Sequence, residues 1–225
     1  MNVGIIVAAG KSERMGPDVD KAFLSLGTKP VVAYSLLAFE KCPDIDNVIL
    51  VVRKDRLDAA RAMVQMFGCA KVKRVVTGGT KRQVSVGNGL AHVSREAKVD
   101  VIHDGARPCV TIDLISEVVK SAKRNGSGVA AVKITDTIKE VEKGVTVSRT
   151  VDRTKLWAVQ TPQAFKHEVL VKALNYVRRK NLTVTDDASA VELAGQDVHL
   201  VAAAWSNIKI TTASDLVTAA ALLKL

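Results

Sequence analysis

The feature that most constrains the fold is an alternation of short apolar runs with helical periods along the first half of the chain. Five runs rich in β-branched residues lack the polar–apolar alternation of a half-exposed strand, and they are residues 3–8, 48–52, 72–76, 99–103 and 129–132. Strands are apolar throughout when helices cover both faces of a parallel sheet. Helical periods lie between the runs, at 55–67, at 112–124 and from Pro30 to about Lys41. Because such units cross over in the right-handed sense, the pattern predicts a doubly wound α/β fold with a mostly parallel sheet.

A polar, alternating stretch interrupts this pattern at residues 135–157. Within it, Glu142-Lys143-Gly144 predicts a turn between strands at 137–141 and 145–151. We expect the stretch to form a β-hairpin arm that protrudes from a single domain of residues 1–225. Three further elements are predicted beyond it: a helix at about 167–179, a strand at 198–203 and a last helix from Ala213 that Thr212 and Asp215 cap.

The charge balance indicates an anionic partner. The chain carries 33 Lys and Arg against 23 Asp and Glu, a net charge of +10, which suits a nucleotide, a phosphorylated metabolite or nucleic acid. A nucleic-acid binder concentrates its charge and adds stacking aromatic side chains, whereas four Phe, two Tyr and two Trp are scattered along this sequence. We therefore expect a small phosphate ligand and no nucleic acid.

Nothing in the sequence predicts a membrane or an oxidising compartment. No apolar run approaches the length of a membrane span, and the N-terminus lacks the basic flank and apolar segment of a secretion signal. Cys42, Cys69 and Cys109 form neither a CxxC motif nor a Cys/His metal pattern. We expect unpaired, reduced thiols in a cytoplasmic protein without membrane contact.

Small and charged residues follow the first predicted strand, and ligands of doubly wound sheets bind beyond the carboxyl ends of the strands. The segment is Ala8-Ala9-Gly10-Lys11-Ser12-Glu13-Arg14-Met15-Gly16. A P-loop requires a glycine at Ile5 and a dinucleotide motif requires one at Ser12, so both motifs are excluded. Backbone N–H groups of the loop could hold a triphosphate, with charge from Arg14 and Lys21, although a purely structural turn would have the same composition.

Further motifs follow in order along the chain: Gly78-Gly79-Thr80-Lys81-Arg82-Gln83-Val84-Ser85-Val86, His103-Asp104-Gly105-Ala106-Arg107-Pro108, Asp136-Thr137-Ile138-Lys139, Val151-Asp152-Arg153, Gln160-Thr161-Pro162-Gln163, Thr185-Asp186-Asp187-Ala188-Ser189 and Asn207-Ile208-Lys209-Ile210-Thr211. From Val3 to about Asp215, the set resembles the 2-C-methyl-D-erythritol 4-phosphate cytidylyltransferases of the non-mevalonate isoprenoid pathway. The resemblance implies a Rossmann-like fold, a Mg²⁺–CTP complex and a homodimer in which each arm reaches into the partner.

The resemblance also implies roles for individual residues. The triphosphate would lie against Ala8, Ala9, Gly10, Arg14 and Lys21, and the cytidine against Gly79, Thr80, Arg82 and Ser85. Asp104 would bind Mg²⁺, with other divalent cations as alternatives, and Lys209 would contact the α-phosphate opposite Lys21. The polyol-phosphate site would take Arg107, Thr185 and, from the partner's arm, Thr137 and Arg153. Two departures from the family are Ser12, in place of a glycine, and Asp20-Lys21-Ala22, in place of Pro-Lys-Gln.

Ordinary structural roles compete with several of these assignments. Taken alone, Asp104 suits a turn or a helix cap, and Arg153 beside Asp152 suits a weak surface ion pair; the surrounding motifs favour the functional roles. We expect His103 to be a packed residue, because no second His or Cys lies at metal spacing. The pair Asp186-Asp187 predicts a helix N-cap. Lys209 falls in a strand-like Ile208-Lys209-Ile210, in which alternation would expose it.

The predicted chemistry needs charge neutralisation and no general base. A phosphate monoester is largely dianionic at neutral pH because its second pKa is about 6. The chain shows no Ser/His/Asp or Cys/His arrangement for activating a nucleophile. We therefore predict a Mg²⁺-dependent cytidylyltransferase that joins CTP to 2-C-methyl-D-erythritol 4-phosphate. Two alternatives remain: a ribitol 5-phosphate cytidylyltransferase, and a non-catalytic protein that binds nucleotides or nucleic acid.

Overall fold

The computed structural model describes residues 1–10 and 20–225, and its centre is a seven-stranded sheet. Seven strands build this sheet: β1 (Asn2–Ala8), β4 (Asn47–Val52), β5 (Val72–Thr77), β6 (Val99–Asp104), β7 (Ser127–Lys133), β10 (Trp157–Lys166) and β11 (Leu200–Ala202). Outside it lie two short pairs: β2 (Ser25–Leu26) with β3 (Lys29–Pro30), and β8 (Ile138–Glu140) with β9 (Arg149–Val151).

The spatial order of the sheet is β11-β7-β10-β6-β1-β4-β5. Neighbouring strands are parallel except at β10, which runs antiparallel between β6 and β7. The carboxyl ends of β1, β5 and β6 therefore lie along one edge of the sheet. The predicted doubly wound, mostly parallel α/β fold is confirmed.

Helices cover both faces of the sheet. They are α1 (Val31–Lys41), α2 (Leu57–Met66), α3 (Arg82–Leu90), α4 (Ile112–Asn125), α5 (His167–Arg179), α6 (Asp187–Leu193) and α7 (Ala213–Leu222), with 3₁₀ turns at Lys54–Arg56 and Arg153–Lys155. Alternate residues of β1 point to opposite sides: Ile6 packs in one cluster with α1, α2 and α4, and Ile5 packs in another with the end of α3. Buried β-branched strands are stable here because both faces lose water.

Local sequence signals set the helix ends where they were predicted. The Thr111 hydroxyl accepts a hydrogen bond from the backbone N–H of Leu114 at the start of α4, and Gly126 follows its end with a φ of 91°. The conformation of Gly126 is one that glycine adopts without strain. Thr212 and Asp215 form a capping box at the start of α7. The predicted boundaries of α1, α4 and α5 are confirmed within one residue.

Two predictions of local structure were wrong, and two elements were not predicted. The 72–76 run is not buried on both faces, because β5 is the edge strand and exposes Lys73 and Arg74. The strand β10 and the helix α3 were not predicted, since polar residues interrupt the first and glycines the second. The segment around Lys209 is not a strand, although the backbone N–H of Ile210 donates to the carbonyl of Ala106 at 2.8 Å.

The predicted hairpin is confirmed, with shorter strands. β8 and β9 pair over three residues each, from Ile138 opposite Val151 to Glu140 opposite Arg149. The connection therefore spans residues 141–148 instead of a tight turn at 142–144. Every residue from 139 to 150 is exposed.

Two further observations concern compartment and membrane. Cys42, Cys69 and Cys109 are all free, as predicted. Within residues 1–10 and 20–225, no helix combines the length and the apolar character needed to cross a membrane.

Candidate active site

A cleft of about 610 Å³ opens at the carboxyl ends of β1, β5 and β6. Ten of the residues predicted for the site lie in its wall: Ala8, Ala9, Gly10, Lys21, Gly79, Thr80, Arg82, Ser85, Asp104 and Lys209. Arg14 lies outside the described residues. In the described wall, six Lys and Arg side chains face one carboxylate, that of Asp104. The cleft is therefore suited to a polyanion.

A larger hollow of about 890 Å³ lies between α3 and α5. Its described wall mixes aliphatic side chains, including Leu90 and Leu174, with polar and basic ones, and it contains no carboxylate. Convergent titratable groups mark an active site better than volume does. We therefore take the smaller, charged cleft as the candidate site.

Glycines bring the loops after β1 and β5 into contact. A Cβ atom on Gly78 would lie 2.3 Å from the Cβ of Ala9 and 2.7 Å from the Oγ of Ser85, so only glycine fits without displacement. The next residue, Gly79, donates its backbone N–H to Ser85 Oγ at 3.0 Å. The two small-residue loops thus form one continuous wall.

Asp104, at the end of β6, is held between two cations. Its Oδ1 accepts from Arg82 Nε at 3.0 Å, and its Oδ2 accepts from Lys209 Nζ at 2.6 Å. Burial alone would raise the pKa of Asp104, but Arg82 and Lys209 outweigh burial and hold this pKa below its usual range. Asp104 is therefore an ionised carboxylate at any physiological pH.

Arg82 is anchored by a second carboxylate, that of Asp187. Arg82 Nη1 donates to Asp187 Oδ2 at 2.7 Å, and the Asp187 side chain is only 1% exposed. Burial would lower the pKa of Arg82, but Asp187 and Asp104 raise it above its usual range. The predicted N-cap at this position is confirmed for Asp186, whose carboxylate accepts from the backbone N–H of Ser189. The contact of Asp187 with Arg82 was not predicted.

A chain of buried hydrogen bonds orients the backbone of Asp104. His103 Nε2 lies 3.2 Å from the carbonyl of Arg107, which can only accept, so Nε2 carries the hydrogen. His103 Nδ1 therefore accepts from the hydroxyl of Thr161 at 3.2 Å, and Thr161 Oγ1 accepts the backbone N–H of Asp104 at 3.0 Å. Burial lowers the pKa of His103 to about 4, against the opposing charge of Asp104. His103 is thus a neutral, fully buried residue, as predicted.

Lys21 and Lys209 reach the cleft from two fixed segments. The Asp20 carboxylate accepts the backbone N–H of Ala22 at 3.3 Å, and its Oδ2 lies 3.4 Å from Arg56 Nε. Asp20, which stands where the family has proline, thus connects the backbone beside Lys21 to the 3₁₀ turn after β4. Asn207, two residues before Lys209, donates to Gln160 Oε1 at 2.8 Å.

Four predicted substrate residues lie away from the described wall of the cleft. Arg107 Nη1 donates to the carbonyl of Asn207 at 2.6 Å, and burial lowers the pKa of Arg107. Thr185 is exposed, and its hydroxyl lies 3.2 Å from that of Ser189. Thr137 and Arg153 are exposed on the arm, where Arg153 donates to the carbonyl of Thr135. Within the described part of one chain, these residues do not line the cleft.

The possible metal ligands of the cleft suit a hard cation that is bound mainly by the phosphates of a substrate. Among the described residues, no group of three His, Cys, Asp or Glu side chains is placed to bind a metal. Asp104 offers one ionised carboxylate, and each of its oxygens has lone-pair capacity beyond its single hydrogen bond. Mg²⁺ is commonly bound by one or two carboxylates, water and substrate phosphates. Asp104 therefore fits Mg²⁺.

The fold and this cleft together define the class of protein. A doubly wound sheet with a phosphate-binding cleft at its carboxyl edge is the architecture of Rossmann-like nucleotide-binding enzymes. The family model described as IspD, 2-C-methyl-D-erythritol 4-phosphate cytidylyltransferase, matches residues 2–225. The chain therefore belongs to the IspD family, and the resemblance noted in its sequence is confirmed.

Relatives match nearly the whole chain. The 2-C-methyl-D-erythritol 4-phosphate cytidylyltransferase of Dehalococcoides mccartyi is 44% identical over 220 residues, covering 98% of this chain and 95% of that protein. Its counterpart in Alkaliphilus oremlandii is 41% identical over 221 residues, covering 98% and 94%. Among solved structures, the 4-diphosphocytidyl-2C-methyl-D-erythritol synthase of Anaerococcus prevotii has a TM-score of 0.86 at 28% identity, over 100% of this chain and 98% of that one. The Thermus thermophilus 2-C-methyl-D-erythritol 4-phosphate cytidylyltransferase has a TM-score of 0.81 at 32% identity, over 98% of each chain.

Proposed function

We propose that this chain transfers the cytidylyl group of CTP to 2-C-methyl-D-erythritol 4-phosphate, with Mg²⁺ as its cofactor. Membership of the IspD family supports the reaction and its place in isoprenoid precursor synthesis. The observation that carries the catalytic assignment is the ionised carboxylate of Asp104, which Arg82 and Lys209 hold in a cleft of opposite charge.

The reaction is a substitution at the α-phosphorus of CTP. A phosphate oxygen of the acceptor forms a bond to this phosphorus, the bond to the bridging oxygen of the β-phosphate breaks, and pyrophosphate leaves. The acceptor is already largely a dianion, since its second pKa is about 6. No proton has to be removed from it. The barrier comes instead from bringing one anion to another, so positioning and charge neutralisation provide the catalysis.

Two lysine side chains of the cleft supply positive charge for this neutralisation. Lys21 and Lys209 both reach the cleft, and we assign both to the charge that grows on the α-phosphoryl oxygens. The joined loops of Gly10 and Gly79 are assigned to the triphosphate and the cytidine. Positive charge that is fixed before the reaction needs no reorganisation during it.

Asp104 is assigned as the protein ligand of Mg²⁺. A bound Mg²⁺ would neutralise phosphate charge and help to orient the triphosphate. The low pKa of Asp104 supports this role, because the carboxylate needs no deprotonation before it binds a cation.

We also propose a homodimer that exchanges its arms. An isolated two-stranded ribbon is marginally stable in water, and this one pairs over only three residues on each strand. A partner surface would stabilise it, and a two-fold axis would make the exchange reciprocal. Thr137 and Arg153 would then complete the polyol-phosphate site of the partner.

We place the enzyme in the cytoplasm. Its three free cysteines support this location, because thiols stay reduced there.

Pyrophosphate release tests the proposal. We expect release with CTP, MgCl₂ and 2-C-methyl-D-erythritol 4-phosphate together, and none when EDTA replaces MgCl₂. Ribitol 5-phosphate at the same concentration serves as the competing acceptor. A much faster reaction with ribitol 5-phosphate would contradict the substrate assignment, and no reaction with either acceptor would contradict the catalytic one.

A further inference from the structure

A buried carboxylate lies behind the candidate metal ligand. Asp187, in the first turn of α6, contacts Arg82 at 2.7 Å, and Arg82 contacts Asp104 at 3.0 Å. The start of α6 is fixed to β10, because Gln163 accepts the backbone N–H of Ala188 at 3.0 Å and donates to Asp186 at 2.8 Å. Asp187 therefore has little freedom to leave Arg82.

Four charged groups in contact form a balanced set. Asp187 and Asp104 contribute two negative charges, and Arg82 and Lys209 contribute two positive charges. Burial raises the pKa of Asp187, and the charge of Arg82, in contact at 2.7 Å, opposes that rise. The exposed fractions of their side chains are 1%, 12%, 24% and 38%, respectively, so water screens the inner members weakly. A cation that approaches Asp104 meets the charge of the whole set, not that of Asp104 alone.

We propose that Asp187 is a positioning residue that, by holding and neutralising Arg82, sets the affinity of the Asp104 site for a divalent cation. The inference rests on the proposed magnesium site. With Asp187 present, one guanidinium charge is shared between two carboxylates. Without it, Arg82 and Lys209 together outweigh Asp104, and the set carries a net charge of +1.

The Asp187→Asn substitution distinguishes the effect of the charge of Asp187 from the effect of its shape. Asp187→Asn keeps the size of the side chain and an oxygen that accepts from Arg82, but removes the negative charge. The extra positive charge repels a divalent cation and attracts a nucleotide anion. The variant should therefore lose affinity for the metal without losing affinity for metal-free CTP. Damage to the fold would weaken both.

Calorimetric titration with CTP measures this difference without turnover, since no acceptor is present. The dissociation constant of CTP in EDTA, divided by that in MgCl₂, defines the magnesium gain. Mutation of an outer-shell residue of a metal site typically costs roughly ten- to a hundredfold in metal affinity. We expect the magnesium gain of Asp187→Asn to fall by about tenfold or more. Its dissociation constant in EDTA should not rise.

Matched variants isolate the charge. Asp100→Asn makes the same substitution at a fully buried carboxylate that pairs with His167 at 2.8 Å, at the start of β6; its magnesium gain should equal that of the wild type. In the double variant Arg82→Gln with Asp187→Asn, balance returns, so the gain should recover. Arg82→Gln alone leaves a net charge of −1 and should raise the gain, which keeps the test decisive if Asp187→Asn does not fold.

Three outcomes would overturn the inference. Wild-type protein that binds CTP equally in EDTA and MgCl₂ would overturn the magnesium site and this inference with it. A wild-type gain that Asp187→Asn retains would overturn the inference and leave the magnesium site intact. A loss of the magnesium gain in Asp187→Asn that the double variant does not reverse would show that Asp187 acts through the structure of the site and not through its charge.

Discussion

The neutral imidazole of His103 connects two sides of the catalytic edge. It donates to the carbonyl of Arg107 and accepts from the hydroxyl of Thr161, which in turn accepts from the backbone of Asp104. Protonation of His103 would put a second donor opposite the Thr161 hydroxyl and a charge into a site with no exposure to water. The orientation of Asp104 therefore depends on an uncharged histidine.

This dependence predicts a pH effect on stability. The pKa of His103 falls from 6.5 to about 4 on folding. Between these values the unfolded chain binds a proton that the folded chain excludes, so the stabilisation is complete above pH 6.5 and is lost as the pH falls towards 4. The loss attributable to His103 is about 3 kcal/mol, at about 1.4 kcal/mol per unit.

Urea unfolding of the wild type and of His103→Gln in EDTA, at several pH values, measures this contribution. The variant should be less stable at pH 7 but lose less stability on acidification from 6.5 to 4. Asp100 acts in the opposite direction, since burial raises its pKa to about 6 against the effect of His167, but it is present in both proteins and cancels in the difference. Parallel curves would show that His103 does not titrate as described.

The two lysines of the cleft predict a kinetic signature. Lys21→Ala and Lys209→Ala should each lower kcat more than they raise KM, because their charges matter most when the α-phosphoryl group is crowded with oxygens. By analogy with fixed oxyanion donors, each loss is about 3–4 kcal/mol in the barrier, or roughly 10²–10³-fold in kcat. Steady-state pyrophosphate release measures both constants. Lys120→Ala, at an exposed pair with Glu117, is the control, and near-normal kcat in either cleft variant would contradict its role.

At the scale of elements, the site depends on how closely two loops approach each other. Gly78 leaves room for Ala9 and Ser85, and the N–H of Gly79 is fixed by Ser85 at the first turns of α3. The end of β1 and the start of α3 thus share one packed contact. A change in either loop should be transmitted to the nucleotide wall.

Alanine substitution at two glycines tests this contact. Gly78→Ala places a methyl group 2.3 Å from the Cβ of Ala9, so the loops must separate. Overpacking of this kind costs about 1–3 kcal/mol, and we expect a higher dissociation constant for CTP and a lower Tm. Gly87→Ala, in α3, meets nothing within 4 Å and should keep CTP binding while raising stability by up to about 1 kcal/mol. Calorimetry and thermal unfolding measure both effects, and equal CTP binding by the two variants would contradict the interlocked wall.

The sequence predicted those elements whose composition matches their surroundings. The buried runs of β1, β4, β6 and β7 followed from their apolar residues. β10 was missed because Gln160, Thr161 and Gln163 are polar but buried, each with a partner distant in sequence. Amino-acid composition does not reveal hydrogen-bond partners that are distant in the sequence. α3 was missed for another reason, since Gly87 and Gly89 both lower helix propensity, although Gly89 packs closely on Ile5 of β1.

The same limit applies to the site. Ten of its residues were predicted through the resemblance, because they belong to motifs that the chain shares with the family, and several of these motifs follow strands that the sheet brings together. Asp187 was predicted only as part of a helix cap, because its partner Arg82 lies 105 residues away in the sequence. The Thr185-Asp186-Asp187-Ala188-Ser189 motif contained the signal, since two adjacent carboxylates exceed what one cap requires. A single sequence could not show that the second carboxylate, that of Asp187, pairs with Arg82.

At the scale of the whole molecule, the arm is the part least explained by a single chain. Residues 139–150 are exposed without exception, and Arg153 and Thr137 do not reach the described wall of their own cleft. An exchange of arms in a dimer would bury the hairpin and bring both residues to a partner's site. Each active site would then contain Lys21 from one chain and Arg153 from the other.

Mixed dimers test this arrangement. Lys21→Ala and Arg153→Ala are each expected to be nearly inactive as homodimers. When both chains are co-expressed with different affinity tags, the mixed dimer can be isolated by two purification steps. One of its sites then inherits both substitutions, and the other inherits neither. The matched control pairs Lys21→Ala with Lys209→Ala, two residues that act within the same chain, so that every site keeps one substitution.

The two pairings give opposite results if the arm acts across the dimer. After random reassortment half of the dimers are mixed, and one site in each of these is intact, so roughly a quarter of all sites should recover. Purified mixed dimers should approach half the specific activity of the wild type, because each has one intact site of two. The control pair should stay inactive. Recovery in neither pairing, with the mixed dimers verified by both tags, would show that Arg153 serves its own chain, and the arm would then have to fold back onto the cleft from which it is now separated.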